Sequence, residues 1–451
     1  MNRPNVLLLH CHDLGRFLGC YGVATVRTPH LDRFAAESVV FDRAFSVAPQ
    51  CSPARASLLT GMYPQEVGVL GLTHPPFSWD LTRPDKHLAR RLRTLGYRTE
   101  LYGVHHESRL APDEVVAGDL GFDEVQTGGV ADDVADRTIG ALRRLKEEGP
   151  FYLQVGFVEP HRLQSSRDTE GVVGFLGEHI APDDAQGVTV PPYVRDTPQA
   201  QAEFAELQGA VRVMDAAVGR ILDALRRLRL EQSTVVVFTT DHGIAVPRAK
   251  CSLYEAGLEV ALMLRDPSRP DQAGTRVEDL VSHLSVVPTV LDIVGAPDDA
   301  LTEPSLLDVA GGRASDHPLV FGQMTYHSYY DPKRSARDDR FKLILNFSNA
   351  PLAMDPTQSW LHRSIPVGLD RGNVPNSAAV EFYDLDADPL ELDNLADDER
   401  HRDRLAEMMT RLRSWMVATG DPLLQGSVTP PRHAELLARV DSAVGTAPSL
   451  G

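Results

Sequence analysis

Short apolar runs alternate with longer stretches of helical periodicity through the first two thirds of the sequence. Short apolar runs are typical of strands buried on both faces, whereas a 3.6-residue apolar period indicates amphipathic helices. The runs that predict strands lie at residues 5–10, 39–41, 98–102, 151–157, 234–240 and 258–264. The stretches that predict helices lie at residues 29–38, 85–95, 134–148 and 199–228. This alternation predicts an α/β fold with a mainly parallel central sheet and helices on both faces.

The pattern changes after about residue 332. Residues 341–346 and 381–385 predict strands and residues 399–419 predict a helix, without the earlier alternation. We therefore divide the chain into a larger α/β domain, residues 1–332, and a smaller C-terminal α+β subdomain, residues 333–451. The subdomain is expected to hold a small antiparallel sheet and a helix. Gly and Pro are frequent between residues 420 and 431, so this stretch and the tail after Ser442 are expected to be loosely ordered.

Polar residues cluster directly after four of the predicted strands. The clusters occupy residues 10–13, 102–106, 157–161 and 240–250. In an open parallel sheet, functional sites lie beyond the carboxyl ends of the strands. The sequence therefore predicts that these four clusters converge on one crevice.

Charge and composition exclude some classes of partner. The 451 residues carry a formal net charge of −18, which argues against nucleic acid or an anionic membrane, since both attract basic surfaces. A small anionic substrate is still allowed, because a basic pocket can lie within an acidic protein. No apolar run approaches the ~20 residues of a membrane span. The apolar run that begins at Val6 is too short for a secretion signal, so we expect a cytoplasmic protein. The oligomeric state, including a homo-oligomer, is left open.

The strongest chemical motif is Cys51-Ser52-Pro53-Ala54-Arg55. A Cys-x-Pro-x-Arg run resembles the signature of the formylglycine-dependent sulfatases, which belong to the alkaline phosphatase-like superfamily. The resemblance implies that a formylglycine-generating enzyme oxidises Cys51 to an aldehyde whose hydrate attacks sulfur. Arg55, one helical turn further on, would anchor the nucleophile and the departing sulfate. The sequence departs from the usual family pattern at Ala54, where serine is common, and we expect maturation to occur nevertheless.

The resemblance also implies one divalent metal ion. The family binds it with an Asp-Asp pair after the first strand, a later Asp-Asn pair and the formylglycine. The corresponding residues here are His12, Asp13, Asp241, His242 and Cys51. Two oxygen ligands have thus become imidazoles, and mixed nitrogen and oxygen donors suit transition metals better than calcium. Among Mn²⁺, Ca²⁺, Mg²⁺ and Zn²⁺, calcium is therefore not favoured.

Three further residues are assigned catalytic roles by resemblance. Glu159-Pro160-His161-Arg162 is similar to a stretch of the heparan N-sulfatase (sulfamidase) branch. This implies that His161 contacts the sulfate and protonates the leaving atom, a role that suits the pKa of histidine. Lys250 would stabilise charge on the leaving group, and His106 would be the base that collapses the sulfated hydrate.

The sequence lacks one cation that the family usually has. Val104 stands where sulfatases commonly have a sulfate-binding lysine, and His105, Arg109 or Arg162 would have to supply that charge. His105 and Arg162 are therefore candidate substrate-binding residues. His327 is a further candidate for substrate binding, at the mouth of the site. The alternative interpretation is an ordinary loop histidine.

The leading hypothesis is hydrolysis of a sulfate ester or sulfamate, including those on sugars and small aryl or alkyl groups. One alternative is a formylglycine-dependent phosphonate monoester hydrolase or phosphodiesterase, which Asp241-His242 and Val104 favour. Another is a non-catalytic relative that binds anions, which would require that Cys51 stay unmodified.

Overall fold

The computed structural model describes residues 3–75, 77–166, 173–313, 319–354, 363–370 and 372–445. The strands, in chain order, are β1 (Asn5–Cys11), β2 (Val39–Phe45), β3 (Arg98–Gly103), β4 (Glu124–Thr127), β5 (Phe151–Gly156), β6 (Thr234–Thr240), β7 (Glu259–Val260), β8 (Leu262–Arg265), β9 (Arg276–Ser282), β10 (Val320–Tyr326), β11 (Tyr330–Arg337), β12 (Phe341–Asn346) and β13 (Val380–Asp384). The α-helices are α1 (Pro29–Ala36), α2 (Cys51–Thr60), α3 (Pro64–Val67), α4 (Leu88–Thr94), α5 (Asp113–Leu120), α6 (Ala131–Leu145), α7 (Pro198–Arg227), α8 (Glu255–Leu258), α9 (Val286–Ile293), α10 (Leu306–Ala310), α11 (Arg402–Ala418) and α12 (Pro431–Gly445).

The larger sheet is mainly parallel, which confirms the predicted fold class. Its strand order is β4-β3-β5-β1-β6-β8-β2-β7, with β9 beside β2. The strands β4, β3, β5, β1 and β6 are all parallel to one another. The single strand predicted at residues 258–264 is instead two short strands, β7 and β8, and β8 runs antiparallel to β6.

Alternate residues of β1 pack into two different hydrophobic cores, because successive side chains of a strand point to opposite faces of the sheet. Leu7 and Leu9 belong to the core that α6 and α7 cover. Val6 and Leu8 belong to the core that α2, α4 and α9 cover on the other face. Each fully buried side chain of this kind stabilises the fold by about 1.5–3 kcal/mol. Helices therefore cover both faces of the sheet, as predicted.

The smaller sheet is antiparallel, in the order β10-β11-β12-β13. Helix α11 packs on it through a core that includes Leu412 and Trp415 from the helix and Leu343 and Phe382 from the sheet. The sheet begins at Val320, so the division proposed at residue 332 falls inside β11. Whether the two parts are separate domains stays a prediction.

The end of the described chain is more regular than the sequence indicates. The stretch predicted to be loosely ordered contains a 3₁₀ turn, Pro422–Leu424, and α12 begins at its last residue and extends past Ser442. Leu436 and Leu437 of α12 are about half exposed. The remainder of the tail, residues 446–451, lies outside the described residues. Across the described ranges, no helix has both the length and the apolar character needed to cross a membrane.

Candidate active site

The carboxyl ends of β1 and β6 carry the residues predicted to bind metal. These strands are parallel neighbours with Cys11 opposite Thr240, so His12, Asp13, Asp241 and His242 leave the sheet at the same edge. Asp13 has a left-handed backbone conformation, with φ of 49°. Its amide donates a 2.8 Å hydrogen bond to Asp241 Oδ1, which joins the two strand ends.

Cys51 is the first residue of α2 and lies against these strand ends. Its Sγ is 3.4 Å from His242 Nε2 and 3.9 Å from Asp13 Oδ1. The thiol is buried, as is every residue of α2. The structure therefore brings the predicted nucleophile to the predicted metal ligands, although they are far apart in sequence.

Two overlapping groups of donor atoms could hold a metal ion. The donor atoms within each group lie within 4.8 Å of one another, and the groups are His12, Asp13, Cys51 and His161, and Asp13, Cys51, Asp241 and His242. Carboxylate oxygens and imidazole nitrogens together suit a divalent ion of the transition series. The donor set therefore fits the implied cofactor.

Lys250 reaches the same cluster from the loop that follows β6. Its Nζ donates to both carboxylate oxygens of Asp13, at 2.9 and 2.8 Å, and lies 3.5 Å from His161 Nε2. Burial disfavours the charged lysine, but the charges of Asp13 and Cys51 and the hydrogen bond to Asp13 together outweigh it and raise the pKa of Lys250. For Asp13, burial is outweighed by Lys250 and His161, which lower the pKa of the carboxyl group. The two side chains are a charged pair.

The electrostatics of the cluster favour an anionic group at position 51. Burial alone would raise the pKa of the Cys51 thiol, but Lys250 and His242 outweigh it and hold that pKa well below its usual value. For His242, burial is outweighed by Asp241, Cys51 and Asp13 together, and the pKa rises to about 9. Thiolates are the reactive form of cysteine, so Cys51 lies in the surroundings expected of a reactive residue rather than an inert core thiol.

Arg55 is held in place by contacts with neighbouring protein groups. Its Nη1 lies 2.5 Å from His10 Nδ1, and its Nη2 donates to Asp241 Oδ2 at 3.2 Å and to the carbonyl oxygen of Cys11 at 3.3 Å. Only 1% of the residue is exposed. Burial opposes ionisation of Asp241, but His242 and Arg55 hold the pKa of that carboxyl well below its usual range. Arg55 thus positions α2 against both strand ends.

His161 and His106, two histidines to which the sequence assigns catalytic roles, lie next to His12. The rings of His12 and His161 meet edge to face with centroids 5.2 Å apart, and those of His12 and His106 are 6.2 Å apart. His161 Nδ1 lies 2.9 Å from the carbonyl oxygen of Arg162, which leaves Nε2 facing Asp13 and Lys250. His106 lies beside Cys51, whose charge opposes the fall in the pKa of His106 that burial causes. Both histidines therefore lie at the cluster, and their catalytic roles stay predictions.

The candidates for the missing cation have other partners. His105 Nε2 lies 2.8 Å from Ser108 Oγ. Arg109 donates to the carbonyl oxygen of Ser78, at the exposed surface. Arg162 forms a buried ion pair with Glu203 at 2.5 Å, and its Nε donates to the carbonyl oxygen of Ala245.

Whether His105 or Arg162 binds substrate stays a prediction. For Arg162, the buried partner Glu203 already holds the guanidinium group, which an isolated motif does not reveal.

His327 follows β10 and is buried near the cluster. Its Nδ1 lies 3.2 Å from Ser328 Oγ. Burial and the charge of Lys250 together lower its pKa to about 3, so the ring is neutral. His327 therefore lies where it could form a wall of the site, and its role in substrate binding stays a prediction.

Two residues of the site were not assigned from the sequence. His10 holds Arg55, as described above, and His74 lies against His106. His10 could have been found, because it ends the first predicted strand beside the metal ligands. His74 lies in a Pro-rich loop after α3, where no periodicity indicates which way a side chain points.

Similarity to known proteins identifies the family of this chain. A family model described as Sulfatase matches residues 4–296. Human N-sulphoglucosamine sulphohydrolase is 32% identical, with 96% of each chain covered. The chain belongs to the sulfatase family and is a hydrolase of that family.

Solved structures agree with this fold. One is a protein in complex with its substrate D-glucosamine-2-N,6-O-disulfate, with a TM-score of 0.69, 18% identity and coverage of 93% of this chain and 99% of that chain. Another is a phosphonate monoester hydrolase from Silicibacter pomeroyi, with a TM-score of 0.67, 18% identity and coverage of 92% and 96%. At this identity the similarity is one of fold.

Proposed function

We propose that the chain hydrolyses sulfate esters or sulfamates of sugars, with a nucleophile made from Cys51 and one bound divalent metal ion. The observation that carries this is the contact of Cys51 with His242 and Asp13, at 3.4 and 3.9 Å, within a family-specific motif. The human relative named for N-sulphoglucosamine supports a sulfated sugar as the substrate class.

The nucleophile is the hydrate of formylglycine, formed after a formylglycine-generating enzyme oxidises Cys51. One hydroxyl of the hydrate attacks sulfur, and the S–O or S–N bond to the leaving group breaks. The second hydroxyl then loses its proton, the aldehyde re-forms, and the C–O bond to sulfate breaks. A serine ester would lack this second hydroxyl, so an aldehyde allows regeneration without a second attack on sulfur.

The side chains around Cys51 divide the remaining work. His161, whose Nε2 faces Asp13 and Lys250, protonates the leaving oxygen or nitrogen. Lys250 provides a fixed positive charge where negative charge develops on the leaving group. His106, beside Cys51, takes the proton from the second hydroxyl. Each role requires only the contacts described above.

His12, Asp13, Asp241 and His242 would hold the metal ion. When bound, such an ion polarises a sulfate oxygen and the nucleophilic hydroxyl. Arg55 neutralises part of the negative charge that the aspartates bring, through its 3.2 Å contact with Asp241. We propose a transition metal or magnesium rather than calcium, because two of the four protein ligands are imidazoles.

Substrate profiling tests the proposal. The purified protein is assayed on sugar O-sulfates, N-sulfoglucosamine, aryl sulfates, phosphonate monoesters and phosphodiesters, with Cys51→Ala and Cys51→Ser beside the wild type. We expect turnover of sulfated sugars, its loss in Cys51→Ala, and nearly complete loss in Cys51→Ser.

The matched control is Cys20→Ala, which changes a cysteine outside the cluster and should keep wild-type turnover. Turnover of phosphodiesters or phosphonate esters with none on any sulfate ester or sulfamate would overturn the proposal in favour of the phosphonate hydrolase alternative. That alternative is supported by His242 beside Asp241 and by the absence of a lysine at Val104.

A further inference from the structure

The loop after α3 contacts both the nucleophile helix and His106. Thr73 donates from its amide to Ser52 Oγ at 3.2 Å, beside Cys51. The Thr73 hydroxyl donates to the carbonyl oxygen of His106, also at 3.2 Å. The loop therefore fixes the backbone of His106 relative to α2.

The next residue of the loop contacts the ring of His106. His74 Nδ1 lies 3.1 Å from His106 Nε2, so one hydrogen is shared between the two rings. The ring centroids are 5.3 Å apart and the ring planes are inclined by 24°, so the two rings meet edge to edge, as an N–H···N hydrogen bond in the ring plane requires. Phe77 packs edge to face on His74 at 5.5 Å and restrains the ring on its other side.

We propose that His74 is a positioning residue that selects the tautomer and orientation of His106. When His106 Nε2–H donates to His74 Nδ1, the second ring nitrogen of His106 keeps its lone pair. A base needs that lone pair, so the contact prepares His106 to accept the proton of the hydrate. Partners of this kind commonly fix the tautomer of a functional histidine.

This inference rests on the proposed function only for the role of His106 as the base. The contacts of His74 with His106 do not depend on which ester is cleaved. Glu107, the next residue in the chain, accepts a hydrogen bond from the backbone amide of His106 rather than from its ring, so this contact does not select the tautomer of His106. His74 is thus a described side chain that bonds to a ring nitrogen of His106 from outside the metal cluster.

Three variants separate the hydrogen bond from the packing of the His74 ring. His74→Phe keeps an aromatic ring and loses the acceptor, whereas His74→Asn keeps an acceptor near the place of Nδ1 and loses the ring. His30→Phe, at a partly buried histidine of α1, is the matched control. We expect His74→Phe to lower kcat about 10–100-fold with little change in KM, and His74→Asn to recover much of kcat. Wild-type kcat in His74→Phe, or a loss confined to KM, would overturn the inference.

A spectroscopic measurement does not require turnover. In protein labelled with ¹⁵N-histidine, the ring nitrogens of His106 should report one tautomer in the wild type and in His74→Asn. In His74→Phe they should report a changed or mixed tautomer. An unchanged His106 spectrum in His74→Phe overturns the inference, whereas a wild type inactive on all sulfate esters and sulfamates counts against the proposed function instead.

Discussion

The residues that distinguish this site from the general family pattern are His12 and His242. Both were identified from the sequence because they occupy positions where the sulfatases that the chain resembles have oxygen ligands of the metal. The structure places His242 Nε2 3.2 Å from Asp13 Oδ1 and His12 Nδ1 3.1 Å from Asp241 Oδ2. Each imidazole is therefore within a cluster of carboxylates, which is where a ligand nitrogen would have to be.

Restoring the oxygen ligands should change the metal preference. In the double variant His12→Asp/His242→Asn, the donor set becomes all oxygen, apart from residue 51. We expect its affinity for Ca²⁺ to rise and its affinity for Mn²⁺ and Zn²⁺ to fall by about tenfold or more, since hard cations prefer oxygen ligands. Calorimetric titration of each metal into metal-stripped protein measures this. An unchanged order of affinities in the variant would show that these histidines do not bind the metal.

Residue positions in the site were predictable where a family motif and a predicted strand end coincide. Asp13, Asp241 and Lys250 meet both conditions, Cys51 has the motif alone, and the structure brings the four together. Arg162 has the motif but also has a buried partner, Glu203, 41 positions away in sequence. His74 has no motif at all. A ring contact between two loops depends on tertiary packing, so local sequence could not indicate it.

At the scale of elements, the long periodic segments were predicted well. The predicted strand at residues 5–10 and helix at 199–228 correspond to β1 and α7, whose bounds are Asn5–Cys11 and Pro198–Arg227. The strand at 258–264 was wrong in part, because an apolar run does not show where a strand breaks or which direction it pairs. Pro431 and residues 443–445 belong to a helix although loose order was predicted there, and at Pro431 the reason is that a proline that favours a loop also suits a helix N-terminus.

One buried ion pair connects the chain after α11 to β11. Arg334 donates to both carboxylate oxygens of Asp421, at 2.5 and 2.9 Å, and neither side chain is exposed. Removing one member would leave an unpaired buried charge. We expect Asp421→Ala to lower the free energy of unfolding by about 3–5 kcal/mol.

Denaturant unfolding measures this change. The control is Arg313→Ala, which removes an exposed ion pair with Asp308 and should cost at most about 1 kcal/mol. The replacement of both partners by apolar residues, Arg334→Met/Asp421→Leu, should recover much of the loss. Equal destabilisation by Asp421→Ala and Arg313→Ala would contradict the role given to the buried pair.

For the whole molecule, the two sheets are joined by charged as well as apolar contacts. Glu255 of α8, beside the larger sheet, accepts from Arg337 and Lys342 of the smaller sheet at 2.9 and 3.0 Å. Lys342 also lies 3.1 Å from Glu391. This arrangement could not be predicted from sequence, because no local pattern shows that residues 255, 342 and 391 meet.

Glu391 should make the stability of this junction depend on pH. Burial raises its pKa to about 7, although Lys342 opposes the shift. A carboxyl whose pKa is raised by folding stabilises the fold below its unfolded pKa, and that contribution is lost as the pH rises through about 7. We expect Glu391→Gln, which cannot ionise, to gain stability relative to the wild type as the pH is raised from 5 to 9. Unfolding free energies at both pH values measure the difference, and a constant difference would contradict the assignment.

The chemical state of residue 51 tests the central claim most directly. We expect mass spectrometry of the peptide that contains Cys51, from protein produced together with a formylglycine-generating enzyme, to show a residue lighter than cysteine by the exchange of sulfur for oxygen and the loss of two hydrogens. The same peptide should react with a hydrazide, and catalytic turnover should rise with the fraction converted. A fully active protein in which residue 51 is an unmodified cysteine would contradict the account.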